Sequence, residues 1–188
     1  MEYVLLQAVF LPLLLSPLAY IIGRKVGHTA ATWFTFGLLL YCTILIITAS
    51  MGETYEEHYP WTELFGEFGF LLDGLAAPFA IMIYVLCTIL ALYSKPYMLH
   101  KFQEFFKQQA PKTVYQSDGT VLETESLQTF VNKQSGVYYA LFLVFSMGML
   151  GTVLATNLIE FYIFFEVMLI PAFLLEASGV IIQDVELH

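Results

Sequence analysis

The chain has 188 residues, of which 59% are hydrophobic and 12% charged, with a mean hydropathy of +0.73. That is too apolar for a soluble domain of this size and marks an all-α, multi-span membrane protein. A formal net charge of −9 excludes a nucleic-acid partner, which needs a basic surface.

Five apolar segments are long enough to cross a bilayer. The first, residues 3–23, contains Pro12 and Pro17 and is followed by Arg24 and Lys25. Glu2 precedes the apolar run, the basic pair comes after it, and no small-residue cleavage site follows, so it does not read as a signal peptide. The second, residues 29–51, holds Gly37 and several threonines, residue types that pack membrane helices closely.

Residues 52–72 carry Glu53, Glu56, Glu57, Glu63 and Glu67 but no Lys or Arg, interspersed with Tyr55, Tyr59, Trp61, Phe65, Phe68 and Phe70. The expectation is an acidic loop with amphipathic aromatics at the membrane–water boundary, its carboxylates solvated. The third span, residues 73–94, starts at Asp73, whose side chain can take an orphan N–H of the first turn, and has Pro78 close behind.

Residues 95–135 form the long polar stretch. PYMLHKFQEFFKQQ is expected to lie along the interface as an amphipathic helix, with Met98, Phe102, Phe105 and Phe106 on its apolar side. Further on, Asp118-Gly119 between two short runs of strand formers predicts a β-hairpin. The stretch holds no nucleotide loop, cysteine cluster or nucleophile constellation, and is too short to bury a sizeable core, which argues against an enzyme domain. The fourth span, residues 136–155, contains Gly148 and Gly151. A tight turn at Thr156-Asn157 leads into the fifth, residues 157–175, and an acidic tail, residues 176–188, is too short to span.

The basic residues set the orientation. All seven, namely Arg24, Lys25, Lys95, Lys101, Lys107, Lys112 and Lys133, fall on one side if the spans alternate. By the positive-inside rule that side is cytoplasmic, which places the N-terminus and the acidic loop outside and the C-terminus inside. Cys42 and Cys87 lie in apolar segments and read as packing residues. His28, His58, His100 and His188 are widely spaced outside the spans and read as solvated loop residues, with no metal site among them.

The fifth segment, NLIEFYIFFEVMLIPAFLL, carries Glu166 at its middle. At ~1.5 Å per residue the acid is roughly 13–14 Å from either end, near the bilayer midplane. An acid there costs several kcal/mol, so it normally faces other helices or a wet cavity and marks an ion path. Pro171, five residues on, has no N–H for the carbonyl of Val167, so the helix is weakened beside the acid. The alternative is a protonated, silent Glu166 that hydrogen-bonds a neighbouring helix. Glu160 is six residues before it, about 120° around the axis and one turn from the outer end. It is expected to meet water or headgroups, and Glu176 to be solvated.

These residues carry a resemblance. ATNLIEFYIFFEVMLIPAFLL (residues 155–175), with its FFE…LIP pattern, and FGFLLDGLAAPFA (residues 68–80) resemble the N-terminal five helices of the antiporter-like M-type membrane subunit (chain 4) of respiratory complex I. That family is related to subunits of multi-subunit sodium/proton antiporters and membrane-bound hydrogenases. The resemblance implies that Glu166 is the mid-membrane acid of a proton path, paired in the family with a lysine on a later, broken helix. It implies a proton-translocating subunit of an NADH/quinone oxidoreductase in the respiratory electron-transport chain, with no cofactor and no redox site in this chain.

Departures accompany it. The family's later helices and lysines are missing, and no Lys or Arg lies inside a span, so the chain is expected to be a truncated or split piece of an antiporter-like bundle. Its partners would be the lipid bilayer, other membrane subunits and a chain supplying the later helices and the lysine. Two alternatives stand beside this reading: a component of a sodium/proton antiporter or membrane-bound hydrogenase, and a non-transporting scaffold.

Overall fold

The computed structural model describes residues 3–52, 54–62, 66–109 and 127–184. They form five helices, α1 (Val4–Lys25), α2 (His28–Ser50), α3 (Ala76–Gln109), α4 (Leu127–Leu154) and α5 (Leu158–Asp184), and one antiparallel hairpin, β1 (Tyr55–Thr62) and β2 (Gly66–Leu72). Each helix contains a window apolar and long enough to cross a membrane. The chain is a multi-pass membrane bundle. In it α4 is central and packs against all four other helices, while α5 packs on α4 at the edge.

Two prolines sit inside α1, and each removes the N–H that would serve a carbonyl four residues back. Both carbonyls have substitute donors. The Tyr84 hydroxyl of α3 donates to the Ala8 carbonyl at 2.6 Å, below Pro12, and the Ser16 hydroxyl donates to the Leu13 carbonyl at 2.8 Å, below Pro17. The helix therefore runs unbroken, and its first proline becomes a tie to α3. Cys42 and Cys87 are buried, unpaired members of the same core.

Residues 52–72 differ from the loop expected there. Period-two alternation puts Tyr55, Glu57 and Tyr59 of β1 opposite Leu72, Phe70 and Phe68 of β2, on one face of the hairpin. That face is buried on the bundle. Phe68 and Phe70 join Phe10 of α1 and Phe164 of α5 in a cluster with ring centroids 5.2–6.3 Å apart.

Glu57 is not solvated either. It is 8% exposed, and its two oxygens accept the Leu5 and Leu6 N–H groups at 2.9 Å each. These are orphan donors of the first turn of α1, and a negative charge is favoured there by the helix dipole. Tyr59 donates to the same carboxylate at 2.9 Å and stacks on Tyr3. Burial first, and then that hydrogen bond to Glu57, push the Tyr59 hydroxyl well up, so it remains a donor. Glu57→Ala is expected to destabilise the fold by about 1–2 kcal/mol through loss of the cap. Detergent-based unfolding of the purified chain would show it, and an unchanged midpoint would refute the cap.

The third helix begins as expected, with Asp73 Oδ1 accepting from Leu75 N at 3.0 Å and Ala76 N at 2.7 Å. Its far end does not. Among the described residues no separate interfacial helix follows residue 95; α3 continues through Pro96 to Gln109 as 34 residues, roughly 50 Å, well beyond the apolar thickness of a bilayer. The reason lies in α4, which starts at Leu127 rather than residue 136. Phe105 and Phe106 pack on Phe130, with centroids 5.8 and 5.5 Å away. The apolar side expected to face lipid is taken by a neighbouring helix. The hairpin expected around Asp118-Gly119 lies outside the described residues. At the other end of the chain α5 stays helical to Asp184, past the expected start of the tail.

Gly37, expected to pack closely, has open space beside it. The close approaches are made by Gly23 with Gly136, where α1 crosses α4, and by Gly148 and Gly151, where Met168 and Phe164 of α5 lie against α4.

Candidate functional site

The fifth helix is positioned by its N-terminus. Asn157 Oδ1 accepts the Glu160 N–H at 2.8 Å, its carbonyl accepts the Phe161 N–H at 3.0 Å, and its Nδ2 donates to the Glu67 carbonyl of the hairpin at 2.9 Å. Asn157 is thus both helix cap and hairpin anchor. With its start fixed, the 3.6-residue period fixes each face. Glu160, Phe164 and Pro171 are buried, while Tyr162, Leu169, Ile170 and Phe173 are exposed.

Glu166 is on the second of these faces. It is half-buried, with Tyr162 one turn earlier on the same side of the helix. The acid, near the middle of the apolar stretch Leu158–Glu176 of α5, therefore lies on the side of the helix away from α4, on an apolar flank of the bundle. Pro171 is five steps of roughly 100° further on, about 140° around the axis. The structure does not bring the two together on one face. Nor is the helix broken at Pro171: α5 runs through it, and the disturbance is the donor that the Val167 carbonyl lacks.

Glu160 corrects the expectation made for it. It does not meet water or headgroups; it is fully buried. Its Oε2 accepts from Gly69 N, Thr156 N and Thr156 Oγ1, each at 3.3 Å. The physical reason is the hairpin, which covers the outer turn of α5. The spacing Asn157-x-x-Glu160 is a helix-start signature in which the acid folds back on the preceding turn, and that signal was present in the sequence.

His28 corrects another expectation. It is buried at the start of α2, with Nδ1 2.7 Å from Ser135 Oγ of α4 and Nε2 2.8 Å from the Lys95 carbonyl of α3. A carbonyl only accepts, so Nε2 carries a proton. Thr32 and Tyr139 meet at 2.7 Å beside it, with Ser94 3.4 Å from the Tyr139 hydroxyl. This polar cluster joins α2, α3 and α4 at the end of the bundle that carries Arg24, Lys25, Lys95 and Lys133; the acidic hairpin is at the opposite end. Among the described residues no three of His, Cys, Asp and Glu gather as metal ligands.

No family model matches the chain. It is 32% identical over 171 residues to the A subunit of a Na(+)/H(+) antiporter from Alkalihalophilus pseudofirmus, an alignment covering 88% of the chain and 17% of that protein. It is 27% identical over 173 residues to the A1 subunit of a Na(+)/H(+) antiporter from Staphylococcus aureus, covering 89% of the chain and 18% of the relative. The chain thus spans less than a fifth of the length of the curated relatives it matches.

Proposed function

We propose, from this homology to the large subunits of sodium/proton antiporters, that the chain is a membrane-embedded part of an ion-translocating, multi-subunit antiporter of the cell membrane, and that Glu166 is the carboxyl that binds and releases the proton. The homology supports an antiporter-like subunit and does not single out complex I. The observation that carries the reading is the placement of Glu166. An acid near the middle of an apolar span, on the side of its helix away from α4, with Tyr162 one turn before it and apolar side chains around it, is suited to a partner beyond these five helices. A cation brought to that face lowers the proton affinity of the carboxyl, and its withdrawal raises it. The cation would come from helices beyond these five.

The gathering of basic residues at one end of the bundle supports a cytoplasmic location for that end, with the hairpin outside. A complex I-type subunit remains the second reading, favoured by the FFE…LIP and DGLAAP stretches (residues 164–171 and 73–78). A scaffold is disfavoured, since scaffolding gives no reason for an acid at Glu166.

Purification of the tagged chain from native membranes in mild detergent tests the assignment. Small membrane subunits and a longer antiporter-like chain are the expected companions. Flavin and iron–sulfur proteins in the same complex would replace the antiporter reading by the complex I one. A chain found alone in the membrane would overturn both.

A further inference from the structure

Two buried glutamates in this chain differ in how they are held. Glu57 has donors on both oxygens at 2.9 Å, so both ends of its carboxyl are satisfied. Glu160 has three donors on Oε2, all at 3.3 Å, and Oε1 has no partner among the described residues although it is fully buried. Leaving half of a carboxylate's charge unpartnered in an apolar interior is far more costly than leaving a neutral hydroxyl there. Long bonds on one oxygen and none on the other fit a carboxylic acid with its proton on Oε1.

The surroundings connect this acid to the hairpin surface. His58 is the cross-strand partner of Gly69, whose N–H is one of the three donors. A Cβ at Gly69 would lie 3.0 Å from His58 Nδ1 and 3.1 Å from Thr156 Oγ1, so those two atoms are no more than about 6 Å apart. The missing side chain at Gly69 is what lets them come this close, since a Cβ there would also stand 2.8 Å from the Glu57 carbonyl. Thr156 Oγ1 is in turn 3.3 Å from Glu160 Oε2. His58 Nε2 contacts Glu56 at 2.7 Å, and Nδ1, the nitrogen nearer Thr156, also contacts Glu67 at 3.4 Å. Residues 4–23 of α1 and 134–154 of α4 contain no ionisable acid or base other than tyrosine, which leaves His58 of the hairpin as the basic side chain on this side of Glu160. Asp73 at the start of α3 is engaged in capping, and Glu57 turns to α1.

We infer that Glu160 is a second proton-binding site of this chain, separate from Glu166, filled from the hairpin surface: Thr156 Oγ1 passes its proton to Oε2 as it takes one from the His58 side, and rotation of the carboxyl then exchanges the two oxygens. The inference does not rest on the transport reading, because Glu160 faces inward and its proton exchange can be read without any ion flux.

The test is infrared difference spectroscopy of the full chain in lipid vesicles, taken between roughly pH 5 and pH 9, where histidine changes charge. A protonated-carboxyl band that varies with pH is expected in the wild type and in Glu166→Gln, and is expected to vanish in Glu160→Gln. Thr156→Val, which removes one hydrogen bond from the acid while keeping its shape, should move the same band to higher frequency, and this keeps the test open if Glu160→Gln does not fold. His58→Gln should slow exchange of the band in heavy water by about tenfold or more. A band insensitive to Glu160→Gln and Thr156→Val, or a Glu160 that stays in one protonation state across the range, would overturn the site. Unchanged exchange in His58→Gln would overturn the route.

Discussion

Glu166→Gln is expected to stop ion transport by the assembled complex, with a loss on the order of a hundredfold or more, while assembly and membrane level stay normal. The amide has the size of the acid, but it cannot take up or release a proton. Because Glu166 lies on the face of α5 turned away from α4, the change leaves the packing of the bundle untouched. Glu166→Asp keeps the acid and withdraws it by one methylene, so partial transport is expected. The measurement is acidification or alkalinisation of membrane vesicles carrying each variant, with native gels to check the complex. Normal transport in Glu166→Gln would remove the acid from the ion path and leave it as a silent, protonated side chain.

The same placement shows what a sequence discloses about such a chain. The spans were readable because apolar runs of bilayer length have few other uses. What escaped was every polar side chain whose environment is set by a distant segment. Glu57 caps a helix 51–52 residues away, His28 reaches Ser135 over 107 residues, and Glu160 is covered by Gly69, 91 residues earlier. Hydropathy treats these groups as surface, since it scores a residue without its partners.

The hairpin was partly legible. Tyr55, Glu57, Tyr59 and Phe68, Phe70, Leu72 alternate as half-buried strands do, and the five glutamates of residues 52–72 masked the pattern. The extension of α3 was hidden by Pro96, which reads as a helix boundary until Phe105 and Phe106 find Phe130. Gly37 and Gly136 illustrate the opposite limit: both are glycines in apolar helices, and which of them marks a crossing depends on the neighbour.

That contrast gives the second large expected effect. Gly136→Leu should destabilise the bundle by about 3 kcal/mol or more, as overpacking without relief does. A Cβ on Gly136 would stand 2.6 Å from the Tyr20 carbonyl oxygen and 3.3 Å from Arg24 N. Both are backbone atoms of α1, so no side chain can rotate away and the whole helix has to move. The opposing residue, Gly23, is already the smallest available, and a Cβ there would lie 2.6 Å from Gly136 N. Displacing α1 from α4 also strains the Ser135–His28 bond one residue along, which ties α2 to the same place. Gly37→Leu is the control. Its Cβ meets nothing within 4 Å, and replacing glycine in a helix interior is favourable by up to about 1 kcal/mol. Titration of the purified chain from mild detergent into sodium dodecyl sulfate, followed by circular dichroism, would separate the two variants. Similar midpoints would mean that α1 does not hold α4 by backbone contact, and that the central position of α4 has another source.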